Sequence, residues 1–189
     1  MVRLGLLAMF GGLVVLFTAL DPDASANIVT MPLLLAGLGI GALASQLGAV
    51  TVSAVPDELS PEVGGLQNTG TNLGAALGTA LAGSILIVAL TGAFLQGIDD
   101  NPAIPQNVAA QASVRLASGV PFTSDADVRS ALDKAAVPPE VASAALQVNK
   151  EARLVGLRSA VAALALIALL ALFFTRAIPT RPPGRSPAS

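Results

Sequence analysis

The chain has 189 residues, of which 53% are hydrophobic and only 12% charged, about half the charge of an ordinary soluble domain. Its mean hydropathy of +0.74 marks a membrane protein. A formal charge of −2 gives no electrostatic reason to bind nucleic acid, and none is expected as a partner. The absence of His and Cys removes the usual general base, thiolate metal ligands and disulfides. Tyr and Trp are also missing, so the aromatic belt common at membrane interfaces is not formed.

Residues 4–20 form the first apolar run, uncharged and preceded by Arg3. Its length is at the lower end of what crosses a hydrocarbon core of about 30 Å. A basic start, an apolar stretch and the triplet Ala24-Ser25-Ala26 also describe a cleavable secretory signal. The run is longer than a signal core and further spans follow, which favours a retained helix. Asp21, Pro22 and Asp23 break the run, and Asn27 is placed to cap the next one.

The second span is predicted over 28–54. Gly37 and Gly41 form a GxxxG pair, the spacing that lets helix backbones approach closely in lipid. Gln46, near the far end, is the strongly polar side chain of this segment. Two roles are open to it, an interhelical hydrogen bond or the lining of a substrate path. A polar turn, VPDELSPEV, follows over 55–63, in which Ser60-Pro61-Glu62 looks like a helix start, with a hydroxyl cap at Ser60, proline at the first position and an acid in the first turn.

Residues 64–83, GGLQNTGTNLGAALGTALAG, are the most informative stretch. They open a third span over about 67–95, polar in its first half. Gly74 and Gly78 form a second GxxxG pair, with Gly70 one turn earlier. Asn68 and Asn72 fall on one stripe, Gln67 and Thr71 on the neighbouring one. Such a helix requires protein neighbours. Gly37, Gly41, Gly74 and Gly78 are the candidate helix-packing residues, and Gln46, Asn68 and Asn72 the candidate substrate-path residues.

Residues 97–153 hold most of the acids, half the bases, and no run long enough to span. Three short amphipathic helices are predicted there. The weakest covers 107–118. A second covers 124–136, with Ser124 as cap and Asp127 three residues on. The third starts at Pro138-Pro139-Glu140 and meets no breaker before the last span, predicted over 154–174. Arg158 lies one turn inside that span, where it can snorkel to the interface or face a cavity. The tail, 175–189, carries Arg176, Arg181 and Arg185 among prolines and is predicted to be disordered. Four spans place both termini on one side, and the arginines at both ends make that side cytoplasmic by the positive-inside rule. The 97–153 segment is then extracytoplasmic.

No catalytic constellation is present, and no cofactor or metal site is indicated. Asp99-Asp100 and Asp125/Asp127 are best read as solvated or capping residues. No acid lies inside a span, whereas proton-coupled transport ordinarily uses a carboxylate at membrane depth.

The order of a span carrying PLLLAGLGIGAL, a turn, GGLQNTGTNLGAALGTALAGSIL, a long Ala-rich loop and a last span ending FFTRAIP resembles the C-terminal end of a major facilitator superfamily transporter. Within that superfamily it resembles the fourteen-helix drug–proton antiporter branch, over helices eleven to fourteen. The resemblance implies an all-α membrane protein, four helices of a larger bundle, in the plasma membrane. It implies proton-coupled export of small amphipathic compounds as the activity of the whole, with this chain inactive alone. The family's proton-coupling acids and its cytoplasmic and helix-five motifs belong to regions this chain lacks. The implied partners are therefore the lipid bilayer, the missing N-terminal helices or a complementary chain, and a small-molecule substrate. Three rivals remain. One is an independent four-span scaffold working through 97–153, another a dimeric four-helix exporter, and the third a membrane-anchored enzyme. The second lacks its intramembrane carboxylate and the third any residue set for chemistry.

Overall fold

The computed structural model describes residues 2–21, 26–53, 55–115 and 122–175. The Pro22-Asp23 break, the Ala24-Ser25 pair, the end of the 107–118 piece and the tail arginines lie outside the described residues. Among the described residues the chain is helical and contains no strand. Its helices are α1 (Val2–Ala19), α2 (Ala26–Ser53), α3 (Ser60–Asp100), α4 (Gln106–Arg115), α5 (Asp125–Lys134) and α6 (Pro139–Phe174), with a 3-10 turn at Asp57–Leu59 before α3. Four of them, α1, α2, α3 and α6, are long and apolar enough to cross a membrane.

The long helices exceed the spans expected from hydropathy. α3 has 41 residues and α6 has 36, or about 60 Å and about 54 Å at 1.5 Å per residue. Both outrun a hydrocarbon core of about 30 Å. Hydropathy sees only the apolar part of such a helix. The polar start of α3, with Glu62, Gln67, Asn68 and Asn72, is helical throughout, and so is its acidic end at Asp99-Asp100. Helical geometry costs nothing extra where water can solvate the side chains. α6 begins at Pro139, where proline suits the first helical position, and runs unbroken into the apolar segment. The stretch assigned to a loop, 97–153, is thus helical at both ends.

Ser60 is already helical, because the 3-10 turn runs directly into α3 with Leu59 N–H donating to the Pro56 carbonyl at 3.0 Å. Its hydroxyl is buried without a hydrogen-bond partner among the described residues, so it is not the cap expected from the sequence. Ser124 does cap α5. Its hydroxyl accepts from Asp127 N–H at 3.2 Å and donates to the Asp127 carboxylate at 2.6 Å.

The chain divides into two compact units. One comprises Met1–Ala19, Ser25–Ala80 and Leu164–Ser189; the other comprises Leu20–Ala24 and Leu81–Ala163. In the first unit α1 and α2 pack as an antiparallel pair. A Cβ built on Gly12 would meet the Ala36 amide nitrogen at 2.6 Å and the Pro32 carbonyl at 2.8 Å. One on Gly39 would meet the Met9 nitrogen at 2.5 Å and the Gly5 carbonyl at 2.6 Å. The seam therefore runs Gly5, Met9, Gly12, Leu16 against Pro32, Ala36, Gly39, Leu43. Both sets follow the four-three spacing of a left-handed helix pair. In the same unit the Arg3 guanidinium donates to the Thr175 carbonyl at 3.3 Å, placing a cation at the C-terminal end of α6.

In the second unit the end of α3 packs on the first half of α6. Leu90 and Ala152 are buried at 0% and 1% exposure. Gly156 lets the backbones close, since a Cβ there would meet the Leu86 carbonyl at 3.0 Å. Further along, Ile98, Ile104, Ala109 and Val148 form a buried cluster flanked by Phe94, Val141 and Ala144.

Candidate functional site

The sequence-predicted polar face lies on the first half of α3. Its hydroxyls are satisfied by their own helix. Thr69 Oγ1 donates to the Gly65 carbonyl and Thr71 Oγ1 to the Gln67 carbonyl, each at 2.9 Å. Such back-bonding uses the hydroxyl proton and leaves the threonine oxygen to act only as an acceptor. The asparagines behave differently. Asn72 Nδ2 donates to Asn68 Oδ1 at 3.4 Å, one helical turn away, and both side chains are exposed. Each amide retains donor and acceptor capacity that this single bond does not use. In a membrane such groups need water, a polar ligand or another helix.

The structure brings Asn68 and Asn72 together and does not join Gln46 to them by a hydrogen bond among the described residues. Gln46 is half-buried toward the end of α2. The asparagine pair stands in the polar first half of α3, where its apolar run begins.

The glycines at the candidate packing positions face open space in this chain. A Cβ on Gly37, Gly41, Gly74 or Gly78 would meet nothing within 4 Å. On α2, Gly39 makes the close approach instead. At 100° per residue it lies on the side of the helix away from both Gly37 and Gly41. On α3 the same openness extends to Gly64, Gly65, Gly70 and Gly83. Leu66, Leu73 and Leu77 flank these glycines at 74%, 59% and 63% exposure.

A second polar constellation escaped the sequence reading. Asn149, on α6, is 2% exposed and donates from Nδ2 to the Asp125 carboxylate at 2.9 Å. Arg153, one turn later, donates from Nη1 to the same oxygen at 3.1 Å. Its guanidinium carbon lies 4.9 Å from the centroid of the Phe122 ring. The sequence did hold a signal: Asn149 interrupts the edge of the small apolar stripe formed by Val141, Ala145, Val148 and Ala152. What it did not hold was the partner, which lies on a different helix.

Arg158 also has a defined role. It donates from Nε at 3.1 Å, and from Nη2, to the backbone carbonyl of Leu20. This charge-assisted contact ties α6 to the backbone just beyond the end of α1, so the arginine serves the fold.

Neither constellation resembles a catalytic site. The three asparagine amides and the arginine are binding and positioning groups, and no cluster of three His, Cys, Asp or Glu side chains arises among the described residues. Compared with protein-family models, curated proteins and solved structures, the chain matches none.

Proposed function

We propose that this chain supplies four helices, equivalent to eleven to fourteen, of a major facilitator-type drug exporter. The whole would carry out proton-coupled export of small amphipathic compounds across the plasma membrane. One observation carries the reading: the first half of α3 is membrane-apolar in its leucines yet presents an open glycine face and an exposed asparagine pair. Lipid supplies neither close backbone packing nor hydrogen bonds to such a face. Further helices do, from an N-terminal portion or a complementary chain. In this reading Gly74 and Gly78 pack against those helices, and Asn68 and Asn72 line the cytoplasmic mouth beside them. Both termini are cytoplasmic and the segment between α3 and α6 is extracytoplasmic. Coupling acids come from the other helices, because the acids of α3 stand only at its ends.

The chain has no cysteine, so single-cysteine variants report unambiguously. In native membranes, Leu77→Cys, beside the glycine face at 63% exposure and carrying a thiol-reactive photo-cross-linker, should cross-link to another helix, whereas Val88→Cys, at 73% exposure, should not. The coding region upstream of Met1 should carry further spans in frame. A chain that accumulates alone, with Leu77→Cys free of cross-links and no spans upstream, overturns the proposal.

A scaffold reading draws on a different observation. The segment between α3 and α6 forms two helices, α4 and α5, and Ala109 of α4 is buried with Ile98 and Val148. It requires a protein captured specifically by the intact chain and lost when α5 is replaced.

A further inference from the structure

The segment between α3 and α6 is held in two physically different ways. Its first part is seated by apolar burial. Ile104 and Ala109, at 6% and 7% exposure, pack with Ile98 of α3 and Val148 of α6. Its second part has no such anchor, since α5 buries none of its residues. Among the described residues the directional contacts that tie α5 to α6 are polar, with Val128 and Leu132 of α5 only half-buried. The Asp125 carboxylate accepts from the buried Asn149 amide and from Arg153, whose guanidinium also meets the Phe122 ring. The Asp125 and Arg153 side chains remain 47% and 29% exposed, so water and salt reach the charged pair while the amide beneath is covered.

We propose that residues 122–134 form a latch on α6, closed by Asp125 on Asn149 and Arg153, and that it opens as a unit while 101–109 stays seated. Three features favour this. Apolar burial is not weakened by moderate salt, but a half-exposed ion pair is screened. When the latch opens, Asn149 and Arg153 regain water, so neither is stranded. The C-terminal end of α5 also carries a pivot: Ala136 adopts φ 51° between α5 and α6, a left-handed conformation that non-glycine residues hold only weakly. Local opening is drawn from segments with few buried apolar contacts, and this segment meets that description.

Amide hydrogen exchange on the full chain in lipid nanodiscs tests the latch by comparing amides of 125–134 with those of 98–109. Raising sodium chloride from about 50 mM to about 500 mM, which shortens the screening length severalfold, should speed exchange of the latch and leave 98–109 unchanged. Arg153→Gln should speed latch exchange about tenfold and abolish the salt response, as expected for losing a hydrogen-bonded charge. That variant leaves the sequence of α5 untouched, so helix propensity does not confound it. Asp125→Asn should behave likewise. If the two regions accelerate together, the segment is one cooperative body and the latch is wrong. If Arg153→Gln leaves 125–134 at its native rate, the latch is equally wrong.

Discussion

Two glycine-bearing helix faces in this chain share a composition and differ in what they do. The α1–α2 seam closes on Gly5, Gly12 and Gly39 until backbone meets backbone. The first half of α3 repeats small residues at four-residue spacing just as regularly, and its glycines meet nothing within 4 Å. Regular small-residue spacing therefore tells which backbone can be approached. It does not tell which neighbour approaches it, nor on which side. The second helix shows this within one turn: Gly37 and Gly41 carry the recognisable GxxxG, and Gly39 between them makes the contact.

The largest expected effect breaks the closed face. In Gly39→Ala the new methyl would clash with the Met9 nitrogen and the Gly5 carbonyl, atoms that move only if the helices separate. Overpacking of this kind should cost about 3 kcal/mol, read as a lower unfolding temperature in detergent micelles. Gly41→Ala, on the open side of the same helix, should lose nothing. Equal losses at the two positions would mean that the seam is not where the structure puts it.

Next comes Arg158→Leu, which strips the Leu20 carbonyl of its charged donor. A loss of about 2 kcal/mol is expected for a partly buried, charge-assisted hydrogen bond. Gly156→Ala should cost about 1 kcal/mol, because its methyl would meet the Leu86 carbonyl and the Leu90 Cβ at 3.0 and 3.2 Å, a gap small shifts can relieve. Gly97→Ala should cost less again. It faces the methyl end of Val148, and a side chain yields more easily than a backbone.

How much of this was legible in the sequence depends on whether a feature is local. The four long apolar helices were visible because each run of apolar residues is its own signal. The Ser124 cap was visible because its partner lies three residues away. The length of α3 was not, since a polar helix start looks like a turn in hydropathy. Gly12, Gly39 and Gly156 were missed for another reason. A close approach is a property of two helices, and the phase of one is fixed only by the other. Asn149 and Arg153 were missed because Asp125 and Phe122 reach them through a tertiary contact. In the candidate site, the proximity of Asn68 and Asn72 followed from helical spacing alone, whereas the separate surroundings of Gln46 did not.

The smallest expected effect sharpens the comparison most. Gly74→Ala in the isolated chain adds a methyl to open space, with no atom within 4 Å. It also replaces a poor helix former with the best one, worth up to about 1 kcal/mol in an exposed helix and less where lipid already enforces helicity. The unfolding temperature in micelles should therefore stay level or rise by a degree or two. In native membranes the same methyl would stand between α3 and whatever packs on its glycine face, so the Leu77→Cys cross-link should be lost when Gly74→Ala is added. A substitution that is harmless to the chain alone and harmful to its assembly is the signature of a face built for another helix. One that is harmless in both settings would leave the glycines of α3 as lipid-facing residues, and would remove the observation on which the transporter reading rests.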